Sequence, residues 1–252
     1  MTPATSTTSA QLLLDARSRG GVVHWRDILP ASLADAYATQ DATLAQIGPI
    51  GGWKVGAKGP QAEPSCAPLP LACLLPTGVR LTGAAWQLRG IEVEVALRVG
   101  RDLDLDPHGP VPSQAELAAA FDAVLPVIEV VESRLADREG SDPLCQVADL
   151  LSHGALVLGA PSALSPAQLD LRTLAATQSF NGQLVADTVG GNPAADVWHV
   201  LGWLALHCAQ RGQPLRRGQI VTTGSCTGML SAPAGARVQG QVAGVGVVEV
   251  QF

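Results

Sequence analysis

The stretches IEVEVAL (residues 91–97) and PVIEVV (residues 126–131) carry the strongest strand signals in this chain. Both are rich in β-branched residues, which fit the pleated surface of a sheet. Successive side chains of a strand point to opposite faces, so Glu92 and Glu94 lie on one face and the apolar residues on the other. The second stretch contributes Glu129. We therefore predict two strands that bring three acidic side chains into one sheet.

A same-face pair of glutamates can be interpreted in two ways. Neighbouring like charges on a sheet repel each other, and a divalent cation removes that conflict. Carboxylate oxygens are the ligands that Mg²⁺, Mn²⁺ and Ca²⁺ prefer. On this interpretation Glu92 and Glu94 bind a metal, and Glu129 is a third ligand on a neighbouring strand. The alternative is that Glu92 and Glu94 form the solvated face of an edge strand.

Composition narrows the class of protein. The net charge is −6 and basic residues form no run, which argues against a nucleic-acid surface. The start of the chain has neither a basic nor an apolar signal-peptide region, so we expect a cytoplasmic protein. The most apolar helix candidate, residues 197–209, is shorter than a membrane span and contains histidines. Five scattered cysteines indicate free thiols.

The arrangement of elements predicts an α+β fold. Helical spacing covers most of residues 9–48, and strands dominate from Trp53 onward, ending with residues 237–239 and 247–252. Two helices interrupt the strands: a capping box at Ser113 precedes one at residues 117–124, and Asn192-Pro193 opens one that runs through Ala209. We predict an N-terminal helical region, residues 1–52, on a mixed or mostly antiparallel sheet, residues 53–252.

Lys54 lies in the glycine-rich stretch GGWKVGA, residues 51–57. If its ammonium is confined, burial lowers its pKa, which suits a role in proton transfer, whereas nearby carboxylates or an anionic substrate raise it. The alternative is a lysine that extends its ammonium to the surface, and the residues alone favour that alternative.

Four motifs in order resemble one family. They are GGWKVGA (51–57), EVE (92–94), IEVVESR (128–134) and VTTGSCTG (221–228). Together they resemble the hydratase/decarboxylase branch of the fumarylacetoacetate hydrolase superfamily. The resemblance implies that residues 53–252 form a catalytic domain whose β-roll closes into a partly open barrel around Mg²⁺ or Mn²⁺. It also implies a homo-oligomer, and active-site roles for Lys54 and Ser152.

The resemblance also points to residues that contact substrate. Backbone amides and hydroxyls of Gly224, Ser225 and Thr227 are candidates for holding a substrate carboxylate, although the same segment could be only a tight turn. Val55 and Gly56, next to Lys54, complete the predicted substrate contacts.

Parts of the family pattern are missing here. The stretch PSCA (64–67) lacks the acid that follows the lysine motif in the family, and Leu150 replaces a polar residue before Ser152. These departures suggest a related reaction on a different substrate, or a poorly active paralogue. A Ser-His-Asp triad from Ser152, His153 and Asp149 is disfavoured, because neighbouring residues on a strand point apart. His153 is the one histidine expected near the site.

Arg134 lies at the end of the IEVVESR motif. It could clamp a substrate carboxylate, but we expect it to pair with a structural acid such as Glu132 or Asp137.

The resemblance implies a metal-dependent lyase of small 2-oxo acids, with no nucleic-acid or membrane partner. Hydration of a 2-hydroxypenta-2,4-dienoate-like substrate to a 4-hydroxy-2-oxo acid, in the breakdown of aromatic compounds, is the first expectation. Decarboxylation of a 4-oxalocrotonate-type diacid is the second, ranked lower because the sequence offers no clear extra Arg or Lys for a second carboxylate. An acylpyruvate-type C–C hydrolase and a non-catalytic paralogue are further alternatives.

Overall fold

The computed structural model describes residues 5–252 of the chain. Five α-helices occur in this range: α1 (Ser6–Arg19), α2 (Leu33–Ile47), α3 (Gln114–Ala118), α4 (Pro143–Ala148) and α5 (Val197–Gln210). The thirteen strands are β1 (Ile50–Gly56), β2 (Ser65–Pro70), β3 (Leu74–Pro76), β4 (Val79–Arg80), β5 (Gly90–Val99), β6 (Phe121–Val131), β7 (His153–Leu158), β8 (Ala175–Phe180), β9 (Gln183–Val189), β10 (Ile220–Ser225), β11 (Leu230–Ser231), β12 (Arg237–Val242) and β13 (Gly246–Gln251).

The strands form two mixed sheets. The larger has the order β2-β1-β10-β5-β6-β7-β3, with β11 added beside β5, and the smaller has the order β4-β13-β12-β8-β9. Most neighbouring strands are antiparallel, and the parallel pairs are β1–β10, β3–β7 and β4–β13. Neither sheet closes on itself over residues 5–252. The predicted α+β class, with a mixed and partly open sheet, is confirmed.

The two sheets pack against each other through the apolar face of β5 and β6. Val93 and Ile128 are fully buried there, in the same core as Val238 and Val248 of the smaller sheet. The two sheets lie especially close together at Gly240 of β12, where an added Cβ would be only 2.8 Å from a methyl carbon of Val93. The acidic face of β5 is therefore turned away from the smaller sheet.

The N-terminal region predicted to be helical contains two capped helices. Thr5 caps α1, which ends at Gly20 with φ +63°, and Ser32 caps α2. The buried amide of Gln40 donates to the carbonyl oxygens of Cys66 (3.1 Å) and Val147 (2.7 Å), which ties α2 to β2 and α4. The division into residues 1–52 and 53–252 stays a prediction.

The helix predicted at residues 117–124 is wrong beyond its first turn. The capping box at Ser113 and Glu116 is present, but α3 ends at Ala118. From Phe121 the chain belongs to β6, whose residues pair with β5 along its whole length. Pairing and burial in the sheet outweigh the local helix signal.

The predicted start of α5 is also wrong. Asp196, not Asn192, caps the helix, and Ala195 before it has φ +59°. The buried Asn192 amide instead donates to the carbonyl oxygens of Thr223 (3.0 Å) and Gly224 (2.8 Å), which holds the end of β10. The helix ends at Gln210, one residue beyond the predicted end at Ala209.

Two predictions from composition can be compared with the fold. None of the helices within residues 5–252 is long and apolar enough to cross a membrane. All five cysteines are free thiols, as predicted.

Candidate active site

Three glutamates converge on the acidic face of the larger sheet. In the antiparallel ladder of β5 and β6, Glu92 lies directly opposite Glu129, and Glu94 is two residues further along β5. One carboxylate oxygen from each lies within 4.8 Å of the others. Glu94 and Glu129 are buried and Glu92 is half-buried. The alternating period of the strands and direct cross-strand pairing are sufficient to bring the three acids together.

Lys54 points into this cluster from β1. Its Nζ donates to Oε1 of Glu129 at 2.5 Å and to the carbonyl oxygen of Leu151 at 3.2 Å, and the side chain is only 12% exposed. Burial works against the charged form, but Glu129, Glu92 and Glu94 outweigh it and raise the pKa of Lys54. Lys54 is therefore an inward-facing ammonium at neutral pH and not a surface lysine.

Glu129 is the centre of the charge network. Burial opposes its ionisation, but Lys54 and His153 outweigh burial and bring the pKa of Glu129 to about 2. Nδ1 of the fully buried His153 lies 3.2 Å from the same Oε1 that Lys54 contacts. Burial lowers the pKa of His153 to about 4, so its ring is neutral. Because an ionised carboxylate only accepts, we assign the ring proton to Nδ1.

Glu94 is anchored by β10. One of its oxygens accepts hydrogen bonds from the Thr222 hydroxyl and from the Gly224 amide, the latter at 3.0 Å. Burial, followed by repulsion from Glu129 and Glu92, raises the pKa of Glu94 to about 8. Burial and Glu129 also raise the pKa of Glu92. Full ionisation of all three acids would therefore place more negative charge in the cluster than Lys54 alone balances, so the metal-free protein keeps a proton on Glu94 at neutral pH.

The donor set fits a hard divalent cation. All three side chains offer carboxylate oxygens, the ligand type of Mg²⁺, Mn²⁺ and Ca²⁺. Oε2 of Glu129 is buried and has no hydrogen-bond partner within residues 5–252. Such an oxygen costs free energy unless something binds it. A cation at this position would satisfy that oxygen and relieve the repulsion among the acids.

A cavity of about 470 Å³ opens over the cluster. Eight residues predicted from the sequence line it: Lys54, Val55, Gly56, Glu92, Glu94, Glu129, Gly224 and Ser225. The Gly224 amide is already bound by Glu94, so it is not free for a substrate. The Ser225 hydroxyl, in contrast, has no partner within the described part of the chain.

The fold and the site agree with comparisons to known proteins. Residues 45–252 match the family described as Fumarylacetoacetate (FAA) hydrolase C-terminal. The chain belongs to the fumarylacetoacetate hydrolase family. It is 32% identical to 2-keto-4-pentenoate hydratase of Paraburkholderia xenovorans (strain LB400) over 162 residues. These aligned residues make up 64% of this chain and 58% of that relative. It is also 31% identical to 2-hydroxyhexa-2,4-dienoate hydratase of Comamonas testosteroni over 161 residues, which cover 64% of this chain and 59% of the relative. The matches thus span under two thirds of each relative's length.

Among solved structures, this family member is similar to 4-oxalocrotonate decarboxylase from Pseudomonas putida G7, complexed with magnesium and adipate. The TM-score is 0.85 at 25% identity, over 98% of this chain and 97% of that one. The likeness covers the N-terminal helices as well as the sheets.

Two residues predicted from the family resemblance do not reach the cavity lining. The buried Ser152 has φ +59° and its hydroxyl accepts from Nε of Arg138 at 3.3 Å. The Thr227 hydroxyl donates to Gln178 at 3.0 Å and accepts from the amide of Val93 at 3.2 Å, on the far side of β5. Ser152 also precedes β7, in a short 3-10 turn, instead of lying on a strand.

The lining residues that the sequence analysis missed include two cationic side chains. Lys58 and Arg138 both line it, and neither forms an ion pair within residues 5–252. Burial and Glu129 raise the pKa of Glu92, and the positive charges of Lys54 and Arg138 partly offset that rise. Both residues lie just beyond motifs of the family, and that proximity was the only signal available.

Arg134 pairs with a structural acid, as predicted, but the acid is Asp149 and not Glu132 or Asp137. Its Nε donates to Oδ1 of Asp149 at 2.5 Å, and its guanidinium also contacts the carbonyl oxygens of Glu132 and His153. Asp149 is therefore committed to Arg134 and does not contact His153. The structure confirms that these residues form no Ser-His-Asp triad.

Proposed function

We propose that this chain is a metal-dependent hydro-lyase. It adds water to a 2-hydroxypenta-2,4-dienoate-like acid and yields a 4-hydroxy-2-oxo acid, a reaction of aromatic-compound breakdown. The observation that carries the proposal is the set of three converging carboxylates with a protonated Lys54 on a cavity of about 470 Å³. Relatives named as hydratases of dienoates support the choice of substrate.

The proposed cofactor is Mg²⁺ or Mn²⁺, held by Glu92, Glu94 and Glu129. When bound, such an ion acts as a Lewis acid that stabilises negative charge on the keto oxygen of a 2-oxo acid. The magnesium complex of 4-oxalocrotonate decarboxylase supports a divalent ion in this fold. We also propose a homo-oligomer, on the family resemblance alone.

Lys54 is the proposed proton-transfer group. Its raised pKa keeps the ammonium charged, so it can donate a proton to the substrate or orient the attacking water, but it does not begin as a base. Glu129 and the Leu151 carbonyl fix the direction of its N–H groups. The Ser225 hydroxyl is the proposed contact for the substrate carboxylate, because it lines the cavity and has a free hydrogen-bonding group.

Decarboxylation of a 2-oxo-enedioate is the second candidate. A diacid needs a cationic group for its distal carboxylate, and Lys58 and Arg138 line the cavity with no acid paired to them in the described chain. The sequence had offered no such group. C–C hydrolysis would need a general base, and His153, which is buried and bound to Glu129, does not line the cavity.

An ultraviolet assay separates these functions. The purified protein is incubated with 2-hydroxypenta-2,4-dienoate, a 4-oxalocrotonate-type diacid and an acylpyruvate, first in EDTA and then with Mg²⁺ or Mn²⁺. We expect loss of the dienoate absorbance only with metal, and formation of a 4-hydroxy-2-oxo acid. Release of CO₂ from the diacid as the main reaction would make decarboxylation the first candidate and hydration the second. Inactivity on all substrates with metal would refute both.

A further inference from the structure

A second cavity shares the lining residue Arg138 with the cavity over the glutamates. It measures about 440 Å³ and is enclosed by α1, the loop at residues 84–88, the segment at 132–138 and the start of β7. Its inner wall is mostly apolar, with Leu75, Trp86, Leu135 and Ala155 among the lining residues. Exposed lining residues such as Val22 open it to solvent. Its volume falls within the range of about 300–1,000 Å³ that small-molecule sites occupy.

This apolar cavity contains a cation that forms no ion pair with an acid of the described residues. Arg17 lines the cavity, and its Nη2 donates to the carbonyl oxygen of His153 at 2.8 Å. Within residues 5–252 Arg17 has no ion-pair partner. Burial lowers the pKa of Arg17 to about 10, and repulsion by the nearby Arg134 adds to this effect. Arg17 is thus a partly desolvated guanidinium beside a second one.

The neighbouring acidic groups are all committed elsewhere. Asp149 is held by Arg134 at 2.5 Å. The carboxylate of Glu132 accepts the backbone amides of Leu88 (2.8 Å) and Arg89 (3.2 Å). Burial raises the pKa of the Cys73 thiol, which therefore stays neutral beside Arg17. The local structure leaves the guanidinium of Arg17 available to an added anion.

We infer that this second cavity is a binding site for a small organic acid with an apolar body. Arg17 binds the carboxylate, because the planar guanidinium fork matches a carboxylate geometrically. The apolar part of the ligand packs against Trp86, Leu75 and Leu135. Arg138 lines both cavities, so it adds positive charge to the same site.

Calorimetric titration with benzoate tests the inference. Benzyl alcohol, of similar shape but neutral, serves as the matched ligand, and the protein is kept in EDTA so that no metal can recruit the acid. We expect benzoate to bind and benzyl alcohol to bind at least about tenfold more weakly. The affinity for benzoate should be unchanged in Lys54→Met, which alters only the first cavity.

Variants of α1 locate the site. Arg17→Gln should weaken benzoate binding by at least about tenfold, whereas Arg19→Gln, an exposed arginine on the same helix, should leave it unchanged. Circular dichroism checks folding, and Arg17→Met, which also removes the charge but keeps the apolar stem, replaces the glutamine variant if that does not fold. No benzoate binding at about 10 mM, equal binding of benzyl alcohol, or binding that requires metal or Lys54 would each overturn the inference.

Discussion

The two oxygens of Glu129 have different surroundings, and this difference lets Lys54 and a cation share one carboxylate. Oε1 accepts from Lys54 and lies beside Nδ1 of His153, while Oε2 is buried without a partner in the described residues. Groups that fix one oxygen of a metal-binding carboxylate also orient the other. His153 is in turn held by its carbonyl oxygen, which Arg17 and Arg134 both contact at 2.8 Å.

Replacement of Lys54 tests its proposed role in catalysis. Lys54→Met retains the stem of the side chain but removes the ammonium. We expect kcat to fall by ~10²–10⁴-fold, with Mg²⁺ affinity within several-fold of the wild type. Lys58→Met is the matched control, because Lys58 lines the same cavity but is exposed and does not contact Glu129. Steady-state kinetics with calorimetric Mg²⁺ titration measures both quantities. Near-normal turnover in folded, metal-bound Lys54→Met would remove Lys54 from the mechanism.

The raised pKa of Glu94 predicts how the metal-free protein responds to pH. Burial, together with repulsion by Glu129 and Glu92, raises the pKa of Glu94 from its ordinary value of 4.5 to about 8 in the folded protein. Between these values the folded protein keeps a proton that the unfolded chain has lost, so stability falls as pH rises through this window. Thermal denaturation in EDTA across the window should show this decline.

The same proton must leave when a cation binds. The Mg²⁺ association constant should therefore rise by up to about tenfold per pH unit over the window below the pKa of Glu94. Titration calorimetry in buffers of different ionisation enthalpy would measure both the affinity and the released proton. An affinity that does not change with pH would show that Glu94 is already ionised without metal.

At the residue scale, the sequence predicts groups that share one strand or one ladder. Glu92 and Glu94 follow from the strand period, and Glu129 from the neighbouring strand. Lys58, Arg138 and the partner of Arg134 could not be predicted in this way, because their positions depend on loops. The orientation of Ser152 could not be predicted either, since Leu150, Leu151 and Ser152 all have positive φ, which residue types with side chains rarely adopt.

At the scale of elements, periodicity predicts the long helices and the central strands. Cap motifs fail where a local signal competes with tertiary contacts. The residues after α3 join β6 because the partner strand β5 extends to Val99, and the sequence does not contain that register. Asn192 resembles a helix cap, but its amide is used to hold β10.

Two substitutions distinguish these roles at the start of α5. Asn192→Ala leaves the carbonyl oxygens of Thr223 and Gly224 without their donor, and we expect it to lower the free energy of unfolding by about 1–3 kcal/mol. It should also weaken Mg²⁺ binding, because the Gly224 amide supports Glu94. Asp196→Ala removes the actual cap and should cost about 1 kcal/mol without changing Mg²⁺ affinity. Urea denaturation and metal titration measure the two effects. Equal effects of both variants on Mg²⁺ binding would contradict this assignment.

At the scale of the whole molecule, the order of strands in the larger sheet assembles the site. β10 inserts between β1 and β5. One cavity is therefore lined by Lys54 of β1, by the end of β10 that holds Glu94, and by the glutamates of β5 and β6. The smaller sheet covers the opposite face and buries Val93. Local patterns predict that strands exist, but this order arises from pairings between distant segments, which only the folded chain reveals.

Anomalous diffraction from a crystal grown with Mn²⁺ tests the central claim most directly. We predict a single strong manganese peak among Glu92, Glu94 and Glu129, with one carboxylate oxygen of each at about 2.0–2.3 Å. Oε2 of Glu129 should be its contributing oxygen, with Oε1 still bound to Lys54. The same crystal form of Glu92→Gln should show a weaker peak or none. A manganese ion bound elsewhere, or no peak among the three glutamates at saturating Mn²⁺, would contradict the account.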